Sequence, residues 1–164
     1  MRTKGRGMAE KCPDTADLEL LEQWNTLQAG FRRLTDQLLA DVDAKAGIAP
    51  SEFQVLWFLL TSPEQTAPMN QLAATLNFTT AGTTKVADRL TEAELIHRQP
   101  SAADRRVVLA SLTAKGQRVA MDAALALAGA LRERVVGRIG EDVFARAAGC
   151  MRELDPDPGR LCRP

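Results

Sequence analysis

The chain has 164 residues, of which 45% are hydrophobic and 26% charged, and this is enough for one domain with its own apolar core. Its 21 basic residues balance its 21 acidic residues, so net charge gives no support for nucleic-acid binding, which has to come from local clusters. Three widely spaced cysteines and a single histidine exclude a disulfide framework and a zinc motif, and we expect no metal and no cofactor.

The first part of the chain predicts a tail followed by one long helix. Residues 1–16 combine charged residues, Gly and Pro with almost no apolar periodicity, so we expect a mobile tail without a secretion signal. From Asp17 to about residue 48, apolar side chains recur at spacings of three and four, as in an amphipathic helix. The stripe comprises Leu20, Trp24, Leu27, Phe31, Leu34 and Leu38. Further apolar residues widen this face, which implies a second packing partner inside the domain or across a dimer interface.

A helix-turn-helix is predicted next. Ser51 is the expected N-cap of a second, almost wholly apolar helix, with Glu52 in its first turn. A short helix then begins at Met69, and Asn77 and Thr79 are candidate caps in the turn before a further helix. A helix, a tight turn and a second helix are how many proteins present side chains to the DNA major groove.

The segment after these helices predicts a small β wing. Residues 95–99 and 106–112 have strand character around a turn at 100–104, whereas residues 63–68 are expected to form a loop. A two-stranded wing is too small to be stable alone, so it must pack against the helices. Residues 51–113 are therefore expected to form a DNA-binding module of the winged helix-turn-helix kind.

The C-terminal part predicts two more helices. Thr113 is the expected cap of a long helix, which Gly140 interrupts, and the last helix ends before Pro156. Residues 156–164 are expected to be irregular. The alanine- and leucine-rich run at 123–131 is far shorter than the ~20 apolar residues of a membrane span, so we expect a cytoplasmic protein with no membrane partner.

Three stretches, in this order and with this spacing, form one signature. They are Asn-Gln-Leu-Ala at 70–73, Thr-Thr-Lys-Val-Ala-Asp-Arg-Leu at 83–90, and Asp-Arg-Arg-Val-Val-Leu at 104–109 leading to Leu-Thr-Ala-Lys-Gly at 112–116. With them the chain resembles, over residues 17–155, the MarR family of bacterial winged helix-turn-helix transcriptional regulators. The resemblance implies a mainly α fold with a small two-stranded β wing and long N- and C-terminal dimerisation helices.

The resemblance also implies how such a protein acts. Residues 17–48 and 117–155 would form the dimerisation helices of a homodimer, which binds a double-stranded, pseudopalindromic DNA operator and often carries a ligand pocket. It would be a cytoplasmic bacterial protein, associated with the nucleoid when bound to DNA. Glu94 departs from the family, which usually has Gly there. Either the recognition helix ends differently, or Glu94 accepts backbone strain.

The exposed start of the recognition helix supplies the candidate DNA contacts. Threonine offers a hydroxyl to phosphates and base edges and a methyl group to thymine, and glycine lets the backbone approach the groove. The candidates are Thr79, Thr80, Gly82, Thr83, Thr84, Lys85 and Arg89. Alternatively, a threonine-rich start serves helix capping, and Arg89 is a structural ion-pair partner rather than a phosphate contact.

The wing adds two arginines. Arg105, nearer the tip, is the first candidate for insertion into the minor groove, and Arg106 is the second. Asp88 is acidic in a helix that is expected to face DNA. The resemblance implies that Asp88 pairs with Arg106 as a brace, which would couple the wing angle to the recognition helix.

Aromatic residues on the first two helices have two interpretations. Trp24, Phe31, Phe53 and Trp57 line a pocket for a small aromatic or lipophilic ligand, or they are apolar core residues at helical spacing. Both interpretations are compatible with their spacing in the sequence.

The leading hypothesis is a sequence-specific transcriptional repressor that a small-molecule ligand releases from its operator. One alternative is a helical protein-interaction regulator that has lost operator binding, which the neutral charge and Glu94 favour. Another is a redox-sensing repressor that uses Cys12, Cys150 or Cys162. With one histidine, no phosphate loop and no paired carboxylates at a strand end, we expect no enzyme.

Overall fold

The computed structural model describes residues 12–76 and 78–154, so most of the predicted N-terminal tail, the candidate cap Asn77 and the predicted C-terminal tail lie outside the described residues. Helix α1 (Thr15–Ala46) begins at Thr15 rather than at the predicted Asp17. Its first turn is capped reciprocally, because the carboxylates of Asp14 and Asp17 each accept a hydrogen bond from the other's backbone N–H, at 2.9 and 3.2 Å.

The chain divides into two units, residues 1–36 and 37–164. The described part of the first unit is mainly the N-terminal portion of α1, where Leu20, Trp24, Leu27 and Phe31 of the predicted apolar stripe are exposed to solvent. Leu38 of that stripe belongs to the second unit and is buried. The exposed apolar residues of this portion are Leu18, Leu20, Leu21, Trp24, Leu27 and Phe31. Side chains of this size are normally covered in a folded protein.

Three helices of the second unit form the helix-turn-helix and its support. They are α2 (Pro50–Leu60), α3 (Met69–Thr75) and α4 (Thr80–Glu92). The prediction that Ser51 caps α2 is wrong, because the helix starts at Pro50 after the extended residue Ala49, with no side-chain cap. Proline suits the first helical position, since the N–H that it lacks would have no partner there.

The wing has three strands rather than the predicted two. Strands β1 (Thr66–Pro68), β2 (Ile96–Pro100) and β3 (Val108–Leu112) form an antiparallel sheet in the order β1-β3-β2. Strand β1 lies in the segment predicted as a loop, and the Thr66 hydroxyl donates a hydrogen bond to Ser111 Oγ at 2.9 Å. The additional strand joins the wing to the segment that leads into α3.

The C-terminal helices follow the prediction with one addition. Helix α5 (Ala114–Leu131) continues through a π-helical turn (Arg132–Val136) into α6 (Gly137–Ile139), and α7 (Glu141–Leu154) follows. Gly140 separates the last two helices as predicted, with a φ of 82° that glycine adopts without strain. The π-helical turn was not predicted.

An ion pair joins the π-helical turn to the second-unit part of α1. Arg134 donates two hydrogen bonds to the Asp41 carboxylate, from Nε and from Nη2, the latter at 2.8 Å. The hydrogen bond from Arg134 holds the pKa of Asp41 below its usual range, against a smaller opposing effect of desolvation. The paired carboxylate likewise raises the pKa of Arg134.

The core of the second unit lies between α2, α4, α5 and the sheet. Its largest fully buried side chains are Leu56, Leu59, Leu72, Leu90, Ile96, Val42 and Val55. Three of them, Val55, Leu56 and Leu59, belong to α2, which confirms that the almost wholly apolar second helix is central. Within residues 12–76 and 78–154, no helix has the length and apolarity required to cross a bilayer. The predicted class, a mainly α winged helix-turn-helix with a long N-terminal helix, is confirmed.

Candidate nucleic-acid interface

Helix α4 begins with a side-chain cap. Thr79 Oγ1 accepts a hydrogen bond from the Gly82 N–H at 3.0 Å, which confirms Thr79 as the N-cap. Gly82 has a steric role in this turn, because a Cβ at that position would lie 3.0 Å from the Thr79 hydroxyl oxygen. The glycine therefore leaves room for the cap, a reason that differs from the close approach to a DNA groove expected from the sequence.

The threonines of α4 fall into two groups. Thr83 is only 2% exposed and donates its hydroxyl to the Thr79 carbonyl at 3.1 Å. It lies at helical spacing from the buried residues Val86 and Leu90, so its burial argues against the predicted DNA contact. The exposed members of the candidate set are Thr79, Thr80, Thr84 and Lys85.

Thr84 shows which groups of this exposed face are available to contact DNA. Its hydroxyl donates a hydrogen bond to the Thr80 carbonyl at 3.0 Å, the usual back-bond of a helical threonine. The hydroxyl proton is thus engaged within the helix, while the methyl group and the oxygen lone pairs remain available.

Arg89 is held by α2. Its Nε donates to Glu52 Oε1 at 2.7 Å, and its Nη2 donates to Ser51 Oγ at 3.4 Å. The Glu52 side chain is 19% exposed, so the pair is partly shielded from water. The structure therefore contains the ion-pair alternative for Arg89, which connects α4 to α2.

Asp88 pairs with an arginine of the wing, but not with the predicted one. Its Oδ1 lies 2.7 Å from Nη2 of Arg98, on the strand that follows α4 directly. Arg106, the predicted partner, takes no part in the ion pairs between residues that the structure describes. Arg98 lies on β2, which packs against α4, whereas Arg106 lies in the turn before β3, where its backbone N–H donates to Asp104 Oδ1 at 3.0 Å.

The wing tip and the recognition helix face one cleft. Arg105 and Arg106 are both exposed in the turn of the wing. Arg106 lines a cleft of about 590 Å³ between the wing, α3 and the start of α4, together with Thr80 and Thr84. Thr80, Thr84 and Arg106 therefore meet at the same open surface, which the largely buried Thr83 also lines.

The four candidate aromatic residues are divided between the two units of the chain. Phe53 and Trp57 stack in the second unit, with ring centroids 6.3 Å apart, and Phe53 is buried in the core. Trp57 is 42% exposed. Trp24 and Phe31 belong to the first unit and are exposed. The core interpretation thus holds for Phe53, while the side chains of the other three are accessible.

Two features of this region were missed in the sequence. Arg98 was not singled out, although a strand that starts within a few residues of α4 brings its side chains beside that helix. The start of α5, at Thr113 and Lys115, contacts the end of α4, and the sequence indicated only a cap there. Across residues 12–76 and 78–154, no group of three or more His, Cys, Asp or Glu is arranged to hold a metal ion.

Comparison with known proteins agrees with this geometry. A sequence model of the MarR family matches residues 46–107, from the end of α1 through the tip of the wing. Over these residues the chain is similar to the MarR family. The predicted resemblance is confirmed, and the matched range contains the whole helix-turn-helix and the arginines of the wing.

Individual MarR-type proteins extend the similarity. The chain is 32% identical over 96 residues to the HTH-type transcriptional regulator MhqR of Bacillus subtilis, covering 58% of this chain and only 64% of that protein. It is 28% identical over 129 residues to the HTH-type transcriptional repressor MdtR of the same organism, covering 79% and 81%. A MarR family regulator from Streptomyces coelicolor, solved in complex with DNA, has the same fold, with a TM-score of 0.72, 24% identity, and 89% and 90% of the two chains covered.

Proposed function

We propose that this protein is a sequence-specific transcriptional repressor of the MarR family, a homodimer that binds a double-stranded, pseudopalindromic operator and is released from it by a small molecule. The observation that carries the proposal is the common cleft, which is lined by exposed threonines of α4 and by an arginine of the wing. A recognition helix beside a basic hairpin suits simultaneous contact with base edges and with the flanking backbone. The DNA-bound relative and the repressor MdtR support this assignment.

Within the proposed interface, the roles follow from exposure and charge. Thr80 and Thr84 face the major groove, Lys85 contacts phosphate, and Arg105 enters the minor groove with Arg106 beside it. Arg89 is left out of this set, because Glu52 already holds its guanidinium.

A second copy of the chain is the proposed cover for two exposed apolar faces. In the first unit, this face is formed by the exposed apolar residues of α1 between Leu18 and Phe31. In the second unit, it is formed by side chains on α7. The exposed members on α7 are Val143, Phe144, Met151 and Leu154. Large exposed apolar patches mark association surfaces, and a two-fold dimer would place two recognition helices on half-sites ~34 Å apart.

The proposed ligand is a small aromatic or lipophilic molecule. Trp57 is 42% exposed in the second unit, whereas Trp24 and Phe31 belong to the α1 stripe that the second copy would cover. Aromatic side chains that keep accessible surface are suited to binding such molecules, because they add stacking to apolar contact. Loss of operator binding in the presence of candidate ligands, screened by fluorescence anisotropy, tests this part separately.

DNA binding is tested by selecting duplexes from a random pool and titrating the best one against an unrelated duplex at ~0.15 M salt. We expect clear preference for the selected duplex, and equal affinity for both would refute operator recognition. Arg105→Ala should weaken binding and reduce the salt slope by ~1 per subunit. Arg138→Ala removes the same charge from α6 and serves as the matched control; an equal effect of both variants would remove Arg105 from the interface.

The alternative of an interaction protein without an operator rested partly on Glu94. The last turn of α4 retains a regular helix ending despite that residue, so Glu94 gives no reason to expect a displaced wing. The neutral net charge is the remaining observation in its favour. This alternative predicts that the protein binds no selected duplex more tightly than random DNA.

The redox alternative rests on exposed thiols. Cys12 and Cys150 are exposed and unbonded, and Cys162 lies outside the described residues. If oxidation controls DNA binding, replacing all three by serine will abolish the response of the protein to peroxide. If the small-molecule proposal holds, these replacements leave ligand release unchanged.

A further inference from the structure

Helix α4 ends in a complete Schellman motif although its left-handed residue is not glycine. Glu94 has a φ of 61°. The Leu95 N–H donates to the Leu90 carbonyl at 2.8 Å, and the Glu94 N–H donates to the Thr91 carbonyl at 3.0 Å, the two hydrogen bonds that define this ending. Leu90 and Leu95 are both buried in the same apolar core, as the apolar residues that accompany this motif usually are.

The carbonyls beyond this motif are satisfied by the start of α5. Lys115 Nζ donates to the Ala93 carbonyl at 2.8 Å, and Thr113 Oγ1 donates to the Glu94 carbonyl, also at 2.8 Å. The Thr113 N–H donates to the Leu95 carbonyl at 3.0 Å. The last carbonyls of a helix have no partner inside it, and here the next helix supplies the donors.

Thr113 serves both helices at once. While its hydroxyl donates to the Glu94 carbonyl, its oxygen accepts the Gly116 N–H at 2.8 Å and thereby caps α5. A hydroxyl has one proton to donate and lone pairs to accept, so a single side chain joins the end of α4 to the first turn of α5. Gly116 permits the close approach, since a Cβ there would lie 1.9 Å from the Leu95 carbonyl oxygen.

We propose that Thr113 and Lys115 are positioning residues for DNA recognition: they join the end of α4 to the start of α5, so that the two helices turn as one body. The inference rests on the proposed function, because it assigns these residues to the orientation of the recognition helix. Neither residue needs to touch DNA for this role. A ligand or partner that redirects α5 would then redirect α4 without an intermediate hinge.

The length of α4 explains why its C-terminal attachment matters for DNA contacts. The helix has 13 residues, which is about 20 Å at ~1.5 Å per residue, so a rotation of about 10° at its end moves its first turn by about 3 Å. N–H···O hydrogen bonds form within about 2.7–3.2 Å. A loose attachment would therefore disrupt the contacts of Thr80 and Thr84 with base edges.

The test compares Lys115→Met with Arg118→Met in the full-length protein. Both variants remove one positive charge near the start of α5, and Arg118 is exposed and outside the ion pairs of the described residues. We expect Lys115→Met to bind the selected duplex about tenfold more weakly, while Arg118→Met binds it like the wild type. Both variants should bind random duplex equally, because that affinity depends on charge alone.

Conservative variants separate positioning from a loss of folding. Lys115→Arg keeps a donor within reach of the Ala93 carbonyl and should restore specific binding. Thr113→Ser keeps the hydroxyl and should resemble the wild type, whereas Thr113→Val should lose specific binding. If Lys115→Met and Arg118→Met weaken specific and random binding equally, Lys115 acts through its charge and the proposal is overturned.

A DNA-free measurement keeps the inference separate from the proposed function. Residual dipolar couplings of amides in α4 and α5 report the angle between the helices in solution. We expect Lys115→Met to change the couplings of α4 relative to those of α5, and Arg118→Met to leave them unchanged. Superimposable couplings in both variants would overturn the inference even if operator binding is established. If the wild type shows no preferred duplex, the proposed function fails, and the couplings still decide whether Lys115 orients α4.

Discussion

Replacing Gly116 with alanine is the sharpest perturbation that the structure suggests. The added Cβ would lie 1.9 Å from the carbonyl oxygen of Leu95 and 2.8 Å from its carbonyl carbon. Both atoms belong to the backbone, so no side-chain rotation can relieve the contact. The first turn of α5 must move away from Leu95, and this lengthens the hydrogen bonds that Thr113 makes to the end of α4.

The expected magnitude follows from two opposing effects. Alanine is more favourable than glycine in a helix by about 1 kcal/mol. Overpacking a close contact costs typically about 1–3 kcal/mol and more when the neighbour cannot rearrange, and the loss of one net hydrogen bond adds about 1 kcal/mol. We therefore expect Gly116→Ala to lower the free energy of unfolding by about 1–3 kcal/mol, which lowers Tm by roughly 2–12 °C.

Urea denaturation at a fixed protein concentration measures this change, since the apparent stability of the proposed dimer would depend on concentration. Gly129→Ala is the matched control: it lies in the same helix, and a Cβ there meets nothing within 4 Å. We expect it to raise the free energy of unfolding by about 0.5–1 kcal/mol. If Gly116→Ala is as stable as Gly129→Ala, the close approach of α5 to Leu95 is not a feature of the protein in solution.

Three further predictions concern individual side chains. Glu94→Gly should raise the free energy of unfolding, measured in urea, by about 0.5–1 kcal/mol, because a left-handed non-glycine residue costs about 1–2 kcal/mol. A loss of stability would show that the contacts of the Glu94 side chain stabilise the fold by more than its backbone strain costs. The pKa of Asp41 is depressed by Arg134, so the stability from this pair is present above the ordinary pKa of an aspartate and is lost as pH falls through the depressed value. Acid unfolding below about pH 4 should therefore depend less steeply on pH in Asp41→Asn, and equal slopes in both proteins would contradict the pairing. A double-mutant cycle of Asp88→Ala and Arg98→Ala should give a coupling energy below about 1 kcal/mol, as for exposed pairs, whereas strict additivity would argue against the contact.

Much of the helical architecture was predictable because its signals are local. Apolar side chains at spacings of three and four indicate a helix wherever they occur. A threonine directly before the first helical turn can cap it through its own hydroxyl, without any distant contact. Thr79, Thr113 and the break at Gly140 were found in this way and are confirmed. The order of helix, turn, helix and wing followed from the same signals.

Residues that depend on distant partners were less predictable. Arg89 had two interpretations until the structure placed it beside Glu52 of α2. The partner of Asp88 was expected to be Arg106 and is Arg98, because a pattern along the chain does not fix which of two nearby arginines faces a given helix. Thr83 was assigned to the exposed face and is buried.

Strand β1 was missed for a related reason. Three residues ending in a proline carry little strand signal of their own, and Thr66–Pro68 is a strand only because it pairs with residues 109–111 of β3. Ladder hydrogen bonds of this kind are long-range contacts, and a local pattern does not contain them.

The sequence by itself determined the order of the main helices, the caps at Thr79 and Thr113 and the family signature, and it identified Glu94 as a departure from the family. Only the tertiary structure decided what that departure means. Glu94 adopts the left-handed conformation that glycine would have taken, and the start of α5 donates hydrogen bonds to the carbonyls around it. The physical reason is that backbone strain at one residue persists when contacts from another element over-determine its conformation, and those contacts come from residues about twenty positions further along the chain.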